Sequence, residues 1–276
     1  MIIINEELCS GCELCIDDCN SGKLELVNDK VHVIQNNACL SCGHCVAVCP
    51  AEAVSFSEFD TNEIVAYDKA TFDVSAENLL NTIKMRRSIR SFTNEPVEKE
   101  KIQNILQAAA YSPSGGNRRL IRYVVLEKGD VLQKTIKMAL TALDNLAQTN
   151  PDLIANTMNP NYITKWREMY KEYSDMGRDR LFYNAPAVII MAAQDRDRID
   201  AGIAASNMEL MCHAQGLGAC FIGLFCIAAS LDNSIKELLG IESKETILTA
   251  LAIGYSNRKY LRTVNRMGFQ KVSWLK

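Results

Sequence analysis

A chain of 276 residues is long enough for one large domain or two unequal ones. Hydrophobic residues make up 48% and charged residues 23%, as in ordinary globular chains. With 30 basic against 33 acidic side chains the net charge is −3, which excludes the basic footprint of a nucleic-acid or anionic-membrane binder. The longest apolar runs, Ala185–Ala193 and Ala219–Ala229, fall short of the roughly 18 residues of a membrane span. The start, Met1-Ile2-Ile3-Ile4-Asn5-Glu6-Glu7, lacks a basic region and a cleavage site, so no secretory leader is expected.

Eight of the eleven cysteines fall in two copies of one spacing: Cys9, Cys12, Cys15, Cys19 and Cys39, Cys42, Cys45, Cys49. Each copy reads C-x2-C-x2-C-x3-C, and Pro50 follows the second. This spacing suits two [4Fe–4S] clusters, with the fourth cysteine of each run serving the other cluster. Cys9, Cys12, Cys15 and Cys49 are assigned to one, and Cys39, Cys42, Cys45 and Cys19 to the other. A pair of zinc sites would leave the third cysteine and the x3 step unexplained. The stretch 1–58 resembles a two-cluster bacterial ferredoxin, with Asn20 where that pattern has proline. Leu24–Val27 and Val31–Ile34 predict a hairpin around Asn28-Asp29-Lys30, and Ile2–Ile4 can pair with Ala53–Phe56. Cys212, Cys220 and Cys226 lie in apolar surroundings and read as core thiols. A reducing compartment, the cytoplasm, is therefore expected.

Residues 59–75 are polar and aperiodic, and read as a linker to a domain at 76–276. There, Leu79, Leu80 and Ile83 mark a helix ending near Met85. A second helix carries Ile102, Ile105, Leu106 and Ala109 and stops at Ser112-Pro113. Arg122–Leu126 reads as a strand, and Asp130 as the cap of a helix through Leu132 and Leu146. Tyr162, Trp166, Tyr170 and Tyr173 form an aromatic stripe that suits both core or subunit packing and a lid. Ala187–Ala193 predicts a buried strand, and Asp200 the cap of a long helix that stops at Gly216. Phe221–Leu224 reads as a short strand, Asn233–Leu239 as a helix closed by Gly240, and Ile247–Gly254 as a buried strand. The order predicts an α+β layer fold.

Arg86-Arg87-Ser88-Ile89-Arg90 reads either as a solvated basic helix end or as a grip on phosphate. Ser112-Pro113-Ser114-Gly115-Gly116-Asn117 suits close backbone approach to a ligand. Arg258, Lys259, Arg262 and Arg266 form a second basic cluster. Gly216-x-Gly218 follows a helix and precedes a strand, the reverse of the dinucleotide-binding order. His32, His44 and His213 have no metal-ligand or triad context and read as structural.

Taken in order with Asn184-Ala185-Pro186 and the Gly254–Arg266 tail, these motifs resemble the FMN-dependent nitroreductase family over residues 78–276. A ferredoxin module ahead of such a domain also resembles a known arrangement. The resemblance implies that Arg86, Arg87, Ser88 and Arg90 bind the FMN phosphate and ribityl chain. It implies that Pro113, Ser114, Gly115 and Asn117 reach the flavin across a homodimer interface. Backbone groups of Phe221, Ile222 and Gly223 would lie beside the flavin ring, and Arg262 and Arg266 would close on the phosphate. Lys271–Lys276 would be an exchanged arm. The chain departs from the family at Arg118-Arg119-Leu120, where Gln-Pro-Trp is frequent. No acid–base side chain is identifiable, although Tyr162, Tyr170 and Tyr173 are available donors. The expected protein is a cytoplasmic oxidoreductase with FMN and two [4Fe–4S] clusters. It would take electrons from a low-potential donor, a ferredoxin or NAD(P)H, and pass them to a nitro-aromatic or other small organic acceptor. The alternatives are a specific reductase of an unsaturated or halogenated substrate, and an electron-transfer or regulatory module without its own substrate.

Overall fold

The computed structural model describes residues 1–34, 37–266, 268 and 271–275. Lys276, the end of the expected arm, lies outside them. The chain divides into two compact units, one of Met1–Asp73 with Ser114–Arg118, the other of Val74–Pro113 with Arg119–Lys276.

In the first unit, β1 (Ile2–Ile4) pairs antiparallel with β4 (Val54–Phe56), Ile2 lying opposite Phe56. A hairpin joins β2 (Leu24–Val27) to β3 (Lys30–Val33). Its turn residues, Asn28 and Asp29, both have positive φ, 49° and 60°, the twist that a two-residue hairpin turn needs. Two short helices, α1 (Leu14–Asp17) and α2 (His44–Ala47), each start from a left-handed residue, Glu13 and Gly43. The 59–75 stretch is not featureless. Asp60 caps a single 3₁₀ turn, and Asp68 caps α3 (Lys69–Phe72). Both carboxylates accept a backbone N–H inside their own turn, the local bonding that aspartate offers where no core dictates structure.

In the second unit, α4 (Ala76–Met85) and α5 (Lys99–Ala110) precede the edge strand β5 (Arg122–Glu127). Then come α6 (Asp130–Thr149), α7 (Pro151–Thr157), α8 (Asn161–Met176) and β6 (Ala187–Ala193). The chain ends with α9 (Arg198–Ala214), β7 (Gly218–Phe221), α10 (Gly223–Leu231), α11 (Asn233–Leu238) and β8 (Thr246–Gly254). The strands form one antiparallel sheet in the order β5-β6-β8-β7. β6 is buried on both faces. Val188, Ile190 and Ala192 face the core built with α6, α8 and α10, while Ala187, Ile189 and Met191 face the core built with α5 and α9. This is an α+β fold.

Three sequence expectations are corrected. The strand near Phe221 lies earlier, at Gly218–Phe221, and Gly223–Leu231 is a helix. That run, Gly-Leu-Phe-Cys-Ile-Ala-Ala-Ser-Leu, is apolar on nearly every side, so helical periodicity is hidden in it. Asp130 and Asp200 are not caps. Gly129 and Asp197 hold those positions, and the two aspartates sit in the first turn, where negative charge still meets the positive helix end.

The segment after α4 positions the site. The Ile89 amide donates to the Ala219 carbonyl at 2.9 Å, the Thr93 amide to Tyr255 at 2.8 Å and the Asn257 amide to Ser91 at 3.2 Å. Residues 88–93 thus run from β7 to the chain just past β8. Gly218 permits this approach, since a Cβ there would stand 2.3 Å from Ile89 Cγ1.

Candidate active site and cluster cradle

In the first unit, the two cysteine runs are folded alike, thirty residues apart. Gly11 and Ser41 have positive φ, as do Glu13 and Gly43. The Lys23 amide donates to Cys19 Sγ at 3.4 Å, and the Ala53 amide to Cys49 Sγ at 3.3 Å. The Ser41 amide reaches Cys39 Sγ at 3.4 Å. Amides aimed at sulfur suit thiolates that ligate a cluster, whose potential such bonds tune. Burial raises the Cys15 thiol pKa, and the neighbouring Cys49, Cys12 and Cys9 raise it further. Burial pushes Cys45 up to about 11, with Cys42 and Cys19 adding to it. Cys49 therefore stands close to a thiol of the first run, and Cys19 to one of the second. Among the described residues no three Cys, His, Asp or Glu side chains form a single-ion site. The donor set fits the larger cage of an iron–sulfur cluster.

Two clefts in the second unit meet the Arg86–Phe92 segment. The first, about 210 Å³, is lined by Arg86, Arg87, Glu209, His213, Ser256 and Arg258, with Gly216–Ala219 as backbone wall. Arg86 donates to Glu209 at 2.9 Å, and Glu209 is buried. Burial raises that carboxyl's pKa, while Arg86 opposes the rise. Arg87 Nη1 donates to the Lys84 and Arg86 carbonyls, whereas its buried Nη2 has no partner among the described residues. An orphaned buried guanidinium nitrogen beside two more arginines fits an oxyanion such as phosphate.

The second cleft, about 690 Å³, is lined by Arg90, Phe221, Ile222 and Gly223 and, from α8, by Tyr162 and Trp166. Trp166 is fully buried, and its indole N–H finds no acceptor among the described residues. Tyr162 stacks on it at 5.4 Å and lines the cleft, as Tyr183 does. Tyr173 instead donates to the Gln133 carbonyl at 3.2 Å, and Tyr170 packs against the core. The segment Arg86–Phe92 passes from the first cleft, through Ser88 and Ile89 bridged to Ala219, to Arg90 in the second.

Sequence-predicted residues thus gather in two groups: Arg86 and Arg87 in one cleft, Arg90 and Phe221–Gly223 in the other, with Ser88 between. Pro113, Ser114, Gly115 and Asn117 line neither cleft. The Asn117 amide donates to the Leu40 and Ser41 carbonyls at 2.8 and 2.9 Å, inside the loop between Cys39 and Cys42. Arg262 and Arg266 are exposed and line neither cleft, while Arg258 of the same basic cluster lines the first. His213 faces that cleft too. Sequence reasoning missed Ser256, Glu209, Lys165 and Arg180. The one available signal was the distance of Ser256 and Arg258 from the Gly254-Tyr255 step.

Comparison with known proteins identifies both parts of the chain. Residues 83–255 match the nitroreductase family model, and residues 1–51 match a 4Fe-4S dicluster domain. The 4-nitrobenzoate reductase of Pseudomonas putida is 24% identical over 209 residues, covering 67% of this chain and 87% of that protein. Iodotyrosine deiodinase 1 of Rattus norvegicus is 24% identical over 211 residues, covering 70% of this chain and 67% of that protein. A Bacteroides fragilis nitroreductase solved with bound FMN shares the fold, with a TM-score of 0.57 and 19% identity over 71% of this chain and 98% of that one. Among the described residues no helix is long and apolar enough to cross a membrane. The chain belongs to the nitroreductase family, as an oxidoreductase that carries an N-terminal 4Fe-4S dicluster domain.

Proposed function

We propose that this chain is a cytoplasmic homodimeric flavoenzyme that takes electrons from a low-potential donor, a ferredoxin or NAD(P)H, and delivers them to a nitro-aromatic or other small organic acceptor. It does so with two [4Fe–4S] clusters and FMN. When bound, clusters take electrons singly and a flavin delivers a pair, while the protein supplies orientation and charge. Cys9, Cys12, Cys15 and Cys49 hold one cluster, and Cys39, Cys42, Cys45 and Cys19 the other. Arg86, Arg87 and Arg258 hold the FMN phosphate, with Ser88 on the ribityl chain. Arg90 and the backbone at Phe221, Ile222 and Gly223 flank the ring, where a cation favours the anionic reduced flavin. Pro113, Ser114, Gly115 and Asn117 serve the partner's flavin.

The observation that carries this reading is the Arg86–Phe92 segment, which joins an oxyanion cleft to an aromatic one. The test is anaerobic purification with iron, sulfide and acid-released flavin counted per chain. About eight irons with FMN bound supports the reading, since each cluster holds four. Eight irons without flavin after FMN loading sinks the reductase assignment.

A further inference from the structure

The second cleft carries a charge that the proposed function leaves without a role. Arg90, Lys165 and Arg180 line it, and among the described residues no Asp or Glu does. Arg180 is neutralised by Glu172, to which it donates at 2.9 Å, with Arg178 on the same carboxylate at 3.3 Å. Arg90 belongs to the segment that the proposed function gives to the flavin. Lys165 remains. It is exposed and has no carboxylate partner among the described residues. Its ammonium lies 5.9 Å from the centroid of the Tyr162 ring, which stacks on Trp166 with 10° between the planes. The rest of the wall is apolar, with Met169, Leu181, Ile222 and Leu224. A cation above stacked rings, facing apolar side chains, matches a flat ring that bears a negative charge at one edge.

We propose that this cleft selects aromatic acceptors that bear an anionic substituent, a carboxylate in the simplest case, and that Lys165 reads that anion. The inference rests on the reductase reading and names its substrate class. A carboxylate on the acceptor and a phosphate on a nicotinamide donor offer the same oxyanion chemistry, and the proposal commits to the acceptor.

The experiment compares 4-nitrobenzoate with 4-nitrobenzamide, which has the same ring and no charge. Calorimetry on the oxidised holoprotein measures both affinities, and NADPH serves as the dinucleotide probe. In parallel, photoreduced holoprotein is mixed anaerobically with each acceptor and flavin reoxidation is followed. Two electrons and two protons turn the nitro group into a nitroso group and release water, with the reduced holoprotein as the reductant. The wild-type protein is expected to bind the benzoate about tenfold more tightly, the value of one charge-assisted hydrogen bond in a partly solvated site. Lys165→Gln brings the ratio close to one, Lys165→Glu inverts it, and added salt shrinks it in the parent protein. Equal affinities in the wild type, or a ratio unmoved by Lys165→Gln, overturn the inference. So does an effect of Lys165→Gln on NADPH alone. Failure of both acceptors to reoxidise the flavin overturns the reductase reading instead.

Discussion

Arg86 and Glu209 meet at 2.9 Å, with the carboxylate side chain 7% exposed and the guanidinium 28%. Removing the arginine leaves a buried charge unpaired. Because the pair is partly solvated on one side, Arg86→Ala is expected to cost about 2–3 kcal/mol, below the range for a fully buried pair. Arg86→Ala/Glu209→Gln should recover much of that loss, as urea unfolding followed by the fluorescence of buried Trp166 can show. The pH dependence has a definite sign. Burial holds the native Glu209 carboxyl above its ordinary 4.5. Between that value and the native one, the folded state binds more protons than the unfolded state. Stability therefore falls as pH rises through the window and is level above it. Without Arg86 the window widens, so Arg86→Ala should regain stability on acidification from neutral pH, and the double variant should not. Equal slopes in the two proteins would refute this.

Gly218 has a steric role that is just as local. A Cβ there meets Ile89 Cγ1 at 2.3 Å and Ile89 Cβ at 2.8 Å. Gly218→Ala must push residues 88–90 off β7, at a cost of about 1–3 kcal/mol for overpacking. Since that segment joins the two clefts, flavin should be released more readily on dilution as well. A variant that melts lower and keeps its flavin would show that the site does not depend on this bridge.

At the scale of elements, α1 and α2 each carry the chain from the third cysteine of a run to the fourth. Each fourth sulfur thereby lies near the opposite run, as the mutual effects of Cys49 on Cys15 and of Cys19 on Cys45 indicate. Cys49→Ser should therefore disturb the same electron paramagnetic resonance signal as Cys12→Ser, and Cys19→Ser the same one as Cys42→Ser. If each fourth cysteine instead groups with its own run, the assignment is wrong. The dicluster domain was legible in the sequence, because cluster ligation acts through short fixed spacings. The hairpin was legible for a similar reason, through Asn28 and Asp29. The helix Gly223–Leu231 was not, since apolar residues on almost every side erase amphipathic period. Ser256 was missed because its place depends on distant backbone bonds, Asn257 to Ser91 and Phe92 to Ser256, in a tail without period. Lys165 and Arg180 come together only through tertiary folding, and no motif announces them.

The two units differ in what holds each together. Of the nine residues in the packed cluster of the first, three are cysteines of the metal motif: Cys9, Cys15 and Cys45. The remainder, Ile2, Leu24, Val31, Ala53, Val54 and Phe56, is a small core joined by two short antiparallel pairs. A module of this size depends on coordination for much of its folding free energy. The second unit has a core on each face of its sheet and no need of metal to close either. Iron extraction by oxidation and chelation should therefore unfold the first unit and leave the second folded. Limited proteolysis gives the readout. Cleavage should spread through residues 1–58, while a resistant fragment starting in the exposed 59–75 stretch persists and still binds FMN. Digestion of the whole chain at one rate would mean that the clusters support both units, and that the domain division read from the cysteine-rich stretch understates their coupling.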